Sequence, residues 1–232
     1  MLWNTLLLAL REIRRNVMRS FLTVLGIVIG VASVITMVTL GNGATRQVTT
    51  SIASMGSNLL MLAPGKRMGP GSGSSAPAFK AEDTEAIARE IGGVSAVAPV
   101  SSGSASAIFG NENWSTSVTG TTSTYLGLRN LRLNSGRSFS DSESRAGAAV
   151  CIIGQTVREK LFGSQDPLNK RIRLRALSFQ VIGLLEAKGQ NSMGMDQDDI
   201  VILPLRTFQR RISGNQDVSL IQLSVQDGVS TE

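Results

Sequence analysis

The sequence predicts an α+β fold: an N-terminal amphipathic helix and one transmembrane helix, followed by a mixed α/β domain of two subdomains on one side of a bilayer. Two observations predict it. Between Arg19 and Arg46 there is no charged residue, and the run from Phe21 to Leu40 is almost wholly apolar. Beyond that run, strand-like segments alternate with short helical ones and tight hairpins, the pattern of an α+β domain rather than of a helical bundle.

A helix rises about 1.5 Å per residue, so roughly 20 apolar residues cross a hydrocarbon core of about 30 Å. Residues 20–45 meet that requirement. Arg11, Arg14, Arg15 and Arg19 precede the span against a single Glu12, and the first charge after it is Arg46. Basic residues are retained on the cytoplasmic face, which puts residues 1–19 inside and residues 46–232 outside. A cleaved signal has a short charged region and an apolar core of about 7–15 residues. Here both are longer, and Asn42-Gly43-Ala44 puts Asn where a small residue is wanted. The segment reads as an uncleaved anchor.

In residues 1–19, Trp3, Leu6, Leu10, Ile13 and Val17 recur at helical spacing opposite Arg11, Glu12, Arg14 and Arg15. That is a helix lying in the membrane surface, with arginines toward lipid headgroups; a straight inward extension of the transmembrane helix is the alternative. Inside the span, Thr23, Gly26, Gly30 and Ser33 fall three or four apart and line one face, where small residues let another helix approach. Past Gly41-Asn42-Gly43-Ala44, Val48, Ile52 and Met55 keep the helical spacing, so residues 41–56 read as a stalk ending at Gly56.

The outer elements follow in order. Asn58–Leu62 reads as a strand ended by Pro64-Gly65, and residues 66–78, rich in Gly, Ser and Pro, read as a flexible loop. Ala81–Ile91 is an amphipathic helix with Glu82, Asp83 and Glu85 in its first turn, stopped by Gly92-Gly93. Val94–Val100 is a strand. Ala105–Phe109 and Trp114–Thr119 form a hairpin around Gly110-Asn111-Glu112-Asn113. Ala148–Ile153 is a strand leading through Gly154 into the helix Gln155–Phe162, closed by Gly163. Arg171–Arg175 and Phe179–Leu185 should pair, and Ile200–Leu203 and Ser219–Val225 are two further strands.

The composition excludes much chemistry. The chain has no histidine, so it can form no Ser-His or Cys-His relay and no His-ligated zinc site. No lysine follows a serine at three residues, and no phosphate-binding Gly-Lys-Ser/Thr loop occurs. Cys151, the single cysteine, sits in an apolar run and reads as a buried structural thiol. Asp196-Gln197-Asp198-Asp199 lacks the glycine and distal glutamate of a calcium loop and reads as solvated. The net charge of +6 comes without a basic stripe interleaved with aromatics, which points to membrane contact and to no nucleic acid. Catalytic, cofactor-binding and metal residues are therefore expected to be absent from this chain.

Several segments together carry a resemblance. The arm and span, Gly41-Asn42-Gly43-Ala44 and Met55-Gly56-Ser57-Asn58-Leu59-Leu60 resemble the opening of MacB-type permeases of ATP-binding cassette systems. So do Ile153-Gly154-Gln155-Thr156-Val157 with Leu161-Phe162-Gly163, Phe179-Gln180-Val181-Ile182-Gly183 with Lys188-Gly189, and Asp198-Asp199-Ile200-Val201-Ile202-Leu203-Pro204. Their order matches the family's periplasmic core domain over essentially the whole chain.

The resemblance implies a homodimeric bacterial inner-membrane permease of four helices per subunit, its periplasmic domain between the first and second. A cytoplasmic ABC ATPase, which binds the ATP and Mg, would drive it, and a periplasmic adaptor and outer-membrane channel would complete an efflux path. This chain, which opens on the arm and stops at Glu232, is expected to be a permease fragment or truncated product served by a separate ATPase. Two other readings stay open. One is a lipoprotein-releasing or FtsX-like regulatory permease of the same superfamily. The other is a single-pass anchored periplasmic binding or sensing module.

Overall fold

The computed structural model describes Trp3, Thr5, Arg11 and residues 14–55, 59–65, 77–191 and 194–226, with the backbone alone for 47–55. The arm positions Leu6, Leu10 and Ile13 and residues 66–76 of the expected loop lie outside the described residues. The chain divides into two compact units, Met1–Thr50 and Ser51–Glu232.

Helix α1 runs Val17–Met55 without interruption at Gly41 or Gly43, and it contains no Asp or Glu. Its segment Val17–Arg46 is long and apolar enough to cross a membrane. The hydroxyls of Thr23, Ser33, Thr36, Thr39 and Thr45 each bond the carbonyl four residues back at 2.7–2.9 Å. Hydrocarbon offers no water to satisfy a polar group, so this internal pairing suits a helix facing lipid.

The second unit is built on strands β1 (Leu59–Leu62), β2 (Val94–Phe109), β3 (Glu112–Thr121), β4 (Leu133–Gly136), β5 (Val150–Ile153), β6 (Arg171–Leu174), β7 (Leu177–Leu185), β8 (Ile200–Pro204) and β9 (Leu220–Val225). Helices α2 (Ala81–Glu90), α3 (Thr124–Leu128), α4 (Asp141–Ala146), α5 (Gln155–Phe162) and α6 (Leu205–Phe208) join them, and a π-helical turn, Gln209–Ser213, follows α6.

The pairings close a ring. β2 pairs with β3, β3 with β8, β8 with β5, β5 with β7, β7 with β6, and β6 returns to β2. Alternate residues point inward: Ala105 and Ala107, Val118, Cys151 and Ile153, Ile172 and Leu174, Phe179 and Val181, Val201 and Leu203 share one buried cluster with Val157 and Leu161 of α5. The opposite faces of β5, β7 and β8 pack Ile152, Ile182 and Ile202 against Tyr125, Leu126 and Leu128 of α3. Buried on both sides, these strands read as continuous apolar runs rather than alternations.

A smaller lobe grows from the same strand. Residues Val94–Val100 of β2 pair with β9, whose other edge pairs with β1. Ile87 of α2 packs there with Val97, Val218, Ile221 and Leu205. The two lobes thus share β2, a 16-residue strand where the sequence had suggested two separate ones. The linking stretch Ser101–Ser104 has no apolar residue to announce a strand; the ladder to β3 from Ser101 to Phe109 holds it extended. The hairpin turn is also tighter than expected: Phe109 pairs with Glu112 across Gly110-Asn111, with positive φ at Gly110.

Candidate functional site

The expected helix-packing residues lie where a partner could reach them. Thr23, Gly26, Gly30 and Ser33 fall within a wedge of about 80° on α1 at the helix period of 3.6 residues. All four are exposed, and a Cβ placed on Gly26 or Gly30 would meet no atom within 4 Å. The stalk positions Val48, Ile52 and Met55 lie on the last turns of α1. Their side chains lie outside the described residues.

In the ring, the sequence-distant segments that carried the resemblance converge on one bracket. The Asp198 carboxylate accepts the backbone N–H groups of Lys188 and Gly189, both at 2.8 Å. Gly189 has φ +73°, which turns the two N–H groups toward one anion, a nest. The Asp196 carboxylate accepts the Thr156 hydroxyl at 2.6 Å and the Asp198 N–H at 2.8 Å. Asp199 accepts Trp114 Nε1 at 3.0 Å, and Lys160 Nζ lies 4.9 Å from the Trp114 ring centroid. Gly154 closes the bracket: its N–H donates to Ile200, and any side chain there would collide with the Asp198 carbonyl.

Of the run expected to be solvated, Asp196 is exposed, Asp199 half-buried and Asp198 buried. The three carboxylates tie β8 to α5, to the loop after β7 and to β3. The signal was present in sequence as acids at fixed distances from Lys188-Gly189, but backbone acceptance by a carboxylate cannot be read from spacing. Lys188 donates from Nζ to the Arg129 carbonyl at 2.7 Å, and burial together with the nearby Arg129 charge lowers its pKa.

These contacts fix the shape of the ring at this end. Cys151 is fully buried, and desolvation pushes its thiol far above the ordinary range, away from the thiolate that reacts. Among the described residues no group of three or more Cys, Asp or Glu side chains is placed to hold a metal ion.

Comparison with known proteins places this architecture. Residues 20–232 match the family described as MacB-like periplasmic core domain. The chain is 38% identical over 211 residues to the macrolide export ATP-binding/permease protein MacB of Syntrophobacter fumaroxidans, covering 89% of this chain and 30% of that protein. It is 38% identical over 231 residues to the MacB of Rhodospirillum rubrum, covering 99% of this chain and 35% of the relative. The chain thus spans about a third of the length of these curated relatives. Its fold is similar to the crystal structure of the periplasmic region of MacB from Actinobacillus actinomycetemcomitans, with a TM-score of 0.65 at 20% identity over 78% of this chain and 80% of that one. It is also similar to the extracellular domain of the noncanonic ABC-type transporter YknZ from Gram-positive bacteria, with a TM-score of 0.57 at 24% identity over 65% of this chain and 75% of that one.

Proposed function

Because the chain belongs to the MacB-like periplasmic core domain family, we propose that it is the first membrane helix and extracytoplasmic domain of an export permease. In this reading α1 carries displacement, produced when a cytoplasmic ABC ATPase binds and hydrolyses its ATP and Mg, out to the strand ring. The chain itself contributes no catalytic group. The permease acts as a homodimer in the bacterial inner membrane, with its N-terminal arm cytoplasmic. An adaptor and an outer-membrane channel would receive the substrate from the periplasm.

The observation that carries the reading is the continuity of α1. Its 39 residues span about 58 Å at about 1.5 Å per residue, against about 30 Å of hydrocarbon. A helix is stiff over that length, whereas a Gly/Ser linker would absorb displacement as coil. The arginines before the span support the orientation, and the Asp198 bracket supports an outer domain that moves as a unit. Replacing both Val48 and Ile52 by Gly weakens the helix by roughly 0.5 kcal/mol per site, since Val and Ile are themselves poorer helix formers than Ala. In the complete permease the double variant should lose export while the ATPase still turns over. Normal export at normal expression would overturn the lever.

A further inference from the structure

Between α2 and the α4–α6 face of the outer unit lies an open cleft of about 790 Å³, within the range of small-molecule sites. Its floor is Val97 and Pro99 of β2, and its flanks differ in charge. The α2 flank presents Glu82 and Glu85 with Lys80, a net negative surface. The opposite flank presents Arg145, Arg206 and Arg210 with Asp141, a net positive one. Among the described residues no ion pair joins the flanks.

Two further features concentrate here. Thr84 and Thr122 line the cleft, and the buried Oγ1 of each has no hydrogen-bond partner, a costly arrangement in a folded protein. The π-helical turn Gln209–Ser213 follows α6 directly and carries Arg210 beside the buried Gln209. Such turns are rare and recur at functional sites. No aromatic side chain lines the cleft among the described residues, so it offers hydrogen bonds and charge rather than a stacking platform.

We propose that this cleft binds a small zwitterionic molecule, its ammonium group toward Glu82 and Glu85 and its carboxylate toward Arg206 and Arg210. Guanidinium groups take a carboxylate in paired hydrogen bonds, and carboxylates take an ammonium as a charge-assisted donor. The exposed side chains of Thr124, Asn215 and Gln216 on the lining can donate or accept, which matches a ligand whose middle carries amides. The assignment stands on the cleft alone and is independent of the export reading.

The test is isothermal titration of the full chain in lipid nanodiscs with di-, tri-, tetra- and pentaglycine, which space the two charges at increasing distances. At least one length should bind, and capping that peptide as its N-acetyl or its C-terminal amide form should each weaken it about tenfold, the loss of a charge-assisted hydrogen bond. The double variant E82Q/E85Q should abolish the penalty for acetylation alone, and R206Q/R210Q the penalty for amidation alone. These side chains lie on the surface, and the capped peptides test the wild-type chain without any substitution. No binding at any length, equal binding of capped and uncapped forms, or variants that leave both penalties intact would overturn the proposal.

Discussion

Helix α1 and the strand ring are made of the same residue types and treat them oppositely. Val31 and Ile35 on α1 are 53% and 59% exposed, while Ile152, Ile153 and Val201 in the ring are fully buried. The ring supplies its own apolar surroundings by closing six strands on one another. The helix supplies none, and what marks its surroundings as hydrocarbon is the missing charge between Arg19 and Arg46 together with hydroxyls that bond their own backbone. Apolar content alone does not separate a core from a membrane span; what the polar groups do within it decides.

The sharpest way to break that contrast is to remove apolar volume from each region. Phe179 is fully buried in the ring, and Phe179→Ala should cost the outer unit about 3–5 kcal/mol. Ile35→Ala on α1 should leave the same unfolding transition unmoved, as followed by the fluorescence of the half-buried Trp114 in a denaturant titration. A charge tests the other side. Ile29→Arg places a guanidinium near the middle of the span, where insertion should become less favourable by about 3–4 kcal/mol. Membrane fractionation would then show material lost from the bilayer. If α1 faced water, the same exposed substitution would change nothing.

What the sequence disclosed tracks how local the cause is. Helix α5 was readable because Gly154 and Gly163 bracket it and its apolar residues keep the helical period. Helix α2 was readable from Glu82 and Asp83 in its first turn and the glycines after it. Helices α3 and α6 have five and four residues, too few to display a period. Tertiary packing fixes them: Phe208 of α6 occupies the space that Gly120 leaves by having no side chain. Helix α4 has a legible start, since Ser140-Asp141-Ser142-Glu143 is a capping-box pattern, but no apolar period follows it to extend the signal. The ring itself joins strands distant in sequence, and no local pattern encodes its closure. For the same reason the small-residue face of α1 could be placed from spacing alone, whereas the Asp198 bracket and the charged cleft became visible only once the chain was folded.

The smallest expected effect separates the two regions by acid. Glu143 takes a bidentate pair from Arg137 at 2.7 and 2.8 Å and the Ser140 N–H at 2.8 Å. The Arg137 hydrogen bonds first, and the Ser140 N–H second, lower its pKa from 4.5 to about 2. A carboxylate depressed in the folded state contributes stability above its unfolded pKa and loses it as pH falls through the folded one. That contribution is therefore complete above about pH 4.5 and gone below about pH 2. Arg137 is 57% exposed, so solvent screening holds the gain to about 0.2–1 kcal/mol. In an acid titration, Glu143→Gln should flatten the stability of the outer unit across that window. The helicity of α1, which has no carboxylate to protonate, should be the same in both proteins at every pH. A pH dependence unchanged by the substitution would show that the pair orders α4 without stabilising the fold.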